Sequence, residues 1–472
     1  MTYTYPSDFY WGASSSAFQI EGGWDADGKG MTVADNNSFK KSAVQADSKV
    51  ASDFYHHWEE DIESMQKLGL KAYRFSLSWA RIIPDGDGEV NQKGVDFYNK
   101  VIDKLIACGI TPFVTLYHFD LPFALVKKYN GWASRKTAEA FARYAEVCFK
   151  AYGDRVKFWL VHNEQNLMMR VDERMNIYEE MDIHEKEKLR AQMDYNMFIA
   201  HALTVNKCHE LVEGGKIACA VSSTVTYPYS NKPEDVWAAR QNNLFKTDYC
   251  LDMHYYGEYP GYYMAYLKEQ DIVPKTEEGD AELLKSAKMD FIALNYYRTL
   301  TARYLPADED HPKGLREEGF NEVDYNMYGY WKIEKNTNLA ATEYGAQIDP
   351  IGLRIVLNEY YGRYHLPLII TENGLGTADV LTEDGKIHDD YRIDYMKKHI
   401  EAIGEALEDG VNVFGYCPWS IVDLLSSHQG FKKRYGLIYV NRTDMDLMDL
   451  KRYPKDSYYW YQKVIASNGK EL

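Results

Sequence analysis

Two short segments carry the residues best suited to chemistry, each an apolar run that ends on a glutamate beside an asparagine: Trp159-Leu160-Val161-His162-Asn163-Glu164 and Ile369-Ile370-Thr371-Glu372-Asn373-Gly374. Two carboxylates facing one another across a cleft suit cleavage of a glycosidic bond. One, protonated, gives its proton to the leaving oxygen while the other attacks the anomeric carbon. A lone glutamate at a strand end is ordinarily a solvated or ion-paired rim residue. Two of them, each closing an apolar run and each flanked by asparagine, point instead to a shared site.

Such a pair must be positioned by strands of one sheet. Short apolar or β-branched runs occur at 9–17, 71–79, 111–118, 156–164, 216–223, 290–297, 366–374 and 411–419, and they alternate with amphipathic stretches at 53–68, 94–108, 136–152, 351–363, 389–408 and 457–466. Runs such as Pro367-Leu368-Ile369-Ile370 are continuously apolar, as a parallel sheet covered on both faces requires. The count of eight, with polar groups gathered after the strand ends and no Gly-rich first turn, favours a barrel over a doubly wound sheet. The expected fold class is therefore α/β, a single (β/α)8 TIM barrel over residues 1–472. The glutamates close strands 4 and 7. Segments at about 20 to 50, 165 to 190, 225 to 285 and 300 to 350, rich in Asp, Glu, Asn, Gly and Tyr, read as long βα-loop insertions.

Composition narrows the partners. With 54 Lys and Arg against 71 Asp and Glu, the net charge of −17 repels phosphate backbones and anionic membranes, so no nucleic-acid or membrane partner is expected. The six cysteines, Cys108, Cys148, Cys208, Cys219, Cys250 and Cys417, are dispersed without a CxxC pair, which fits a reducing cytoplasm and neither a zinc ribbon nor a disulfide framework. The N-terminus lacks a basic segment followed by an apolar core, and no run of about 18 apolar residues occurs. His56-His57 falls in an amphipathic stretch, where neighbouring residues face different ways, so no metal ligation is expected there.

The segments Asn163-Glu164 and Ile370-Thr371-Glu372-Asn373-Gly374 resemble the acid/base and nucleophile signatures of glycoside hydrolase family 1, the retaining β-glycosidases. The likeness runs from Phe9-Tyr10-Trp11-Gly12 to the C-terminal tail. It includes Phe18-Gln19-Ile20-Glu21-Gly22, the segment from Tyr73 to Ile82, Leu116-Tyr117-His118-Phe119-Asp120-Leu121-Pro122, Asn295-Tyr296-Tyr297, and Trp419-Ser420 with Asp423. The resemblance implies Glu372 as nucleophile and Glu164 as acid/base. It implies Arg74, Asn295 and Tyr297 as their support, with Gln19, His118, Asn163 and Trp419 binding the sugar. It implies no metal and no organic cofactor. The sequence departs from the family pattern at Gln165, at Phe119 and at Ala346, where a leaving-group aromatic commonly stands; Trp331 or one of the 40 tyrosines is a candidate replacement.

The last loop bears on substrate. Ordinary β-glucosidases of the family place a Glu and a Trp where this chain has Ser426 and Ser427, and Lys432-Lys433-Arg434 and Tyr435 follow. A carboxylate would repel a sugar 6-phosphate, whereas a hydroxyl, an ammonium and a phenol can donate to it. Ser426, Lys433 and Tyr435 resemble the phosphate-binding pattern of the 6-phospho-β-glycosidase branch, and the small Ser427 resembles the gluco rather than the galacto type. The implied partner is a small phosphorylated β-glucoside in a bacterial cytoplasm. Rival readings are an unphosphorylated β-glucosidase, a phospho-galactosidase or dual enzyme, and an inactive phospho-sugar-binding barrel. A homo-oligomer stays open.

Overall fold

The computed structural model describes residues 3–168, 181–309 and 326–472. Eight parallel strands close into a barrel: β1 Tyr10–Ser14, β2 Ala72–Ser76, β3 Thr111–Tyr117, β4 Phe158–Asn163, β5 Lys216–Ser223, β6 Ile292–Tyr296, β7 Leu368–Glu372 and β8 Val413–Tyr416. Each strand pairs with its sequence neighbours, and β1 pairs with β8 through Tyr10 opposite Gly415. The expected (β/α)8 barrel is the observed fold. The strands are shorter than the apolar runs, because end residues such as Glu164 and Trp419 leave the ladder to face the mouth. Residues Trp79–Ile82 turn into helix instead of extending β2.

Small and aromatic side chains plug the barrel interior. Ala72, Ala218, Ala220 and Ala293 leave room for Phe113 and Phe158, whose rings stack at 4.3 Å. The outer layer includes α1 Phe54–Leu68, α2 Gln92–Ala107, α3 Arg135–Tyr152, α4 Ile183–Leu211, α5 Tyr249–Tyr256, α6 Pro350–Tyr364, α7 Asp390–Glu408 and α8 Asp456–Ala466. Helix α4 has no counterpart in the sequence reading, which treated 165–190 as loop; residues 169–180 of that stretch lie outside the described residues. Its stretch from Met193 to Ala202 is buried on every side, with Asp194, Asn196 and His201 among apolar neighbours, so it shows no amphipathic period. The 225–285 segment is likewise not one loop. It holds the helix Pro233–Asn243, then α5, Gly261–Glu269 and Asp280–Ser286.

A small sheet of Thr226–Pro228, Leu300–Arg303 and Lys332–Glu334 stands beside the mouth. It builds a satellite core with Phe245 and Trp331. Trp331 is thus a packing residue and not the leaving-group aromatic considered above. Among the described residues, no helix is long and apolar enough to cross a membrane.

Candidate active site

The barrel ladder shifts register at three places, one at the start of β7 against β8 between Leu368 and Ile369 and two near strand ends. In β4 the register against β5 shifts between Leu160 and Asn163, and in β7 the register against β6 shifts between Ile370 and Glu372. Irregularities of this kind re-aim side chains at sheet ends, and these two deliver Glu164 and Glu372 into one cavity of about 220 Å3. Glu164 follows β4 in the left-handed region, φ +47°, with its N–H donating to Ala220 O at 2.7 Å. Phe119, just past β3, is also left-handed at φ +67°. Backbone of this kind costs roughly 1–3 kcal/mol per residue and persists where its surroundings enforce it.

A buried polar network fixes the floor. Arg74, fully buried on β2, donates from Nη1 to Glu372 Oε1 at 2.5 Å, from Nη2 to Asn163 Oδ1 at 2.7 Å and from Nε to Thr115 Oγ1 at 2.8 Å. Tyr297 donates its hydroxyl to Glu372 Oε2 at 2.7 Å, so both carboxylate oxygens are held. Burial, then the charges of Glu372 and Glu164, push the Tyr297 hydroxyl well above its ordinary pKa, which keeps it a donor at neutral pH. Asn295 donates to Asn163 Oδ1 at 3.0 Å and to Glu164 Oε1 at 3.1 Å, and Thr371 holds its carbonyl at 2.8 Å.

The expected sugar-binding residues meet on one side. Asn163 Nδ2 lies 3.2 Å from His118 Nε2, and the His118 ring stacks on Trp419 with centroids 5.8 Å apart. Gln19 is pinned by Ser16 at 2.7 Å and by Leu425 O at 2.9 Å, so the loop after β1 is tied to the loop after β8.

That last loop supplies the other end of the cavity, where Ser426, Ser427, Lys433 and Tyr435 all line it. Lys433 Nζ stands 4.7 Å from the Tyr344 ring and 5.5 Å from the Tyr435 ring. Burial, reinforced by the nearby Arg298, lowers its pKa to about 8. Glycines make this approach possible. A Cβ on Gly376 would sit 2.6 Å from Lys433 Cε and from Tyr435 Cζ, and one on Gly374 would sit 2.1 Å from Trp419 O.

The basic triplet does not act as a cluster. Lys432 is exposed, and Arg434 turns inward to Asp423 at 2.7 Å, so Lys433 alone of the three faces the cavity. Asp423 also accepts from Lys455 at 2.7 Å. Lys455 contacts Asp379, which pairs with Arg392 at 2.8 Å. Burial alone would raise the Asp379 carboxyl, but Lys455 and Arg392 hold it below its ordinary pKa. This buried ion network underpins the loop.

Of the departures, Gln165 is buried outside the cavity lining and donates to Asp194 Oδ1 at 2.8 Å, while Phe119 and Ala346 line the cavity. His56 and His57 lie in the first turn of α1 and pair with Asp53 at 2.6 Å and Glu60 at 3.1 Å. Lys246, Arg298, Thr342 and His428 also line the cavity. No motif marked them; each reaches the mouth from a long insertion or loop, where nothing local in sequence signals direction.

A family model for glycosyl hydrolase family 1 matches residues 1–470. The chain belongs to glycosyl hydrolase family 1. Within the family it is 41% identical to the aryl-phospho-beta-D-glucosidase BglC of Bacillus subtilis, covering 99% of this chain and 98% of that protein. It is 36% identical to the 6-phospho-beta-glucosidase AscB of Escherichia coli, covering 99% of each. Among solved structures, the family 1 β-glucosidase from Thermotoga maritima superposes with a TM-score of 0.87 at 36% identity, covering 99% of this chain and 100% of that one.

Proposed function

We propose that the protein is a retaining 6-phospho-β-glucosidase, with residues 1–472 acting as one catalytic domain. The observation that carries the reading is the pairing, in one cavity, of a doubly held Glu372 carboxylate with a wall formed by Ser426, Lys433 and Tyr435. Likeness over the whole chain does not separate phosphorylated from free substrates, since relatives named for each are similarly close. The loop after β8, with Ser426, Lys433 and Tyr435 on the cavity, supports the phosphorylated substrate.

In this reading Lys433, Ser426 and Tyr435 bind the 6-phosphate, and Gln19, His118, Asn163 and Trp419 bind the remaining glycone. Ser427 leaves room for the gluco epimer. Glu372, paired with Arg74 and oriented by Tyr297, attacks the anomeric carbon. Glu164, in the same cavity as the Glu372 charge, gives its proton to the leaving oxygen. Formation of the glycosyl ester removes that charge, so Glu164 can then take a proton from the incoming water, and the sugar leaves with its β-configuration retained. Free thiols at all six cysteines and a phosphorylated substrate support a cytoplasmic setting.

The test compares kcat/KM for p-nitrophenyl β-glucoside, its 6-phosphate and the corresponding 6-phosphogalactoside. The expected order places the glucoside 6-phosphate first. Preference for the free glucoside would discard the phosphate wall while keeping the two glutamates.

A further inference from the structure

The end of β4 and the turn after it divide by direction. Asn163 and Glu164 line the cavity, whereas His162 and Gln165 are buried away from it. His162 packs among the rings of Phe141, Trp132 and Tyr117, with centroids at 5.1, 5.7 and 5.9 Å. Gln165 reaches helix α4, where its Nε2 donates to Asp194 Oδ1 at 2.8 Å and to the Asp194 carbonyl at 3.2 Å. Asp194 is buried as well. The tie thus joins the residue after Glu164 to a helix packed against β4 and β5.

This tie bears on Glu164 because the backbone there is not at rest. Glu164 sits in the left-handed region, φ +47°, which a residue with a side chain keeps only where its surroundings enforce it. Before it, Arg74 and Asn295 hold the Asn163 carbonyl oxygen at 2.7 and 3.0 Å. After it, Leu167 N donates to Glu164 O at 3.0 Å, and Asn166 Nδ2 donates to Ser222 O at 2.9 Å. Those bonds stay at the mouth of the barrel, while the Gln165 bonds run outward. They fix residue 165 and hence, one rigid peptide away, the Cα from which the Glu164 side chain leaves. An acid must meet the leaving oxygen within hydrogen-bond reach, and a misplacement of about 1 Å costs on the order of 100-fold.

We infer that Gln165, through its bonds to Asp194 of α4, is a positioning residue for the acid Glu164, an inference that rests on the proposed role of Glu164. Gln165 itself touches no substrate. Its effect falls on the step in which the leaving oxygen takes its proton.

The test compares kcat/KM for the 2,4-dinitrophenyl and benzyl β-glucosides, on whichever glycone, free or 6-phosphorylated, the unaltered enzyme prefers. Dinitrophenolate departs without a proton, whereas benzyl alcohol must be given one. Gln165→Met should lower the benzyl value about 10-fold or more and the dinitrophenyl value less than about 2-fold. Asp194→Ala weakens the same tie from the other side and should show the same split, which decides the matter if the Gln165 variant fails to fold. Asp194→Asn keeps a side-chain acceptor and should stay within about 2-fold of the unaltered enzyme on both substrates. Equal losses on the two substrates, or no loss on either, in Gln165→Met or Asp194→Ala would overturn the inference. Glu164→Ala tests the reading beneath it: no split there would remove Glu164 as the acid, while a split there with none at Gln165 would overturn this inference alone.

Discussion

Glu372 and Lys433 line the same cavity but are held by different means. The Glu372 carboxylate sits at the end of a barrel strand, and neighbouring strands bring Arg74, Thr115, Asn163 and Asn295 into one hydrogen-bonded sheet of side chains beneath it. Lys433 sits on a loop. Aromatic rings and a missing side chain at Gly376 shape its surroundings, and ion pairs one layer deeper fix the loop. The floor is thus tied to the barrel itself, whereas the phosphate wall can change with little consequence for the strands. This is the division expected when one scaffold serves free and phosphorylated glycosides alike.

Three measurements would break or sharpen that contrast. Glu372→Ala should remove hydrolysis of every glucoside, on the order of 10^5-fold in kcat, with azide partly restoring turnover and giving a product of inverted configuration. Undiminished activity would take Glu372 out of the reaction. Lys433→Ala should instead leave the free glucoside unchanged and raise KM for the 6-phosphate by about 10-fold to 150-fold, the equivalent of about 1.5–3 kcal/mol for one charged hydrogen bond. Equal effects on both substrates would mean that the wall and the floor are not separable.

The smallest effect is a pH dependence. Lys433 carries its charge below a pKa of about 8 and loses it above. The sugar phosphate is a dianion above about pH 6. KM for the phosphorylated substrate should therefore be lowest between these values and climb above pH 8, approaching roughly tenfold per pH unit. Lys433→Arg, which stays charged, should flatten that limb. The free glucoside should show none of it.

The barrel was legible because each of its strands is an apolar run of the right length, and the two glutamates because each closes such a run beside an asparagine. Helix α4 was not legible, since burial on all sides erases the periodicity on which helix recognition depends. The register shifts that turn Glu164 and Glu372 into the cavity leave no trace in a single sequence. The direction of the basic triplet is hidden for a related reason: only the backbone decides which of three adjacent cations faces inward, and here Arg434 is consumed by Asp423 while Lys433 lines the cavity. Lys246 and Arg298 depend on long segments folding back to the mouth, which local spacing does not record.

Closure of the barrel by β1 against β8 joins Tyr10 to Gly415, and Gln19 to Leu425 beside it. During synthesis the first strand must therefore wait for nearly the whole polypeptide before its outer edge is covered. Until then β1 and β7 present open parallel edges, which are templates for wrong pairing between nascent molecules. The same long-range contact makes completion of the sugar site and completion of the chain nearly one event, so fragments ending before residue 413 would be both inactive and prone to aggregate.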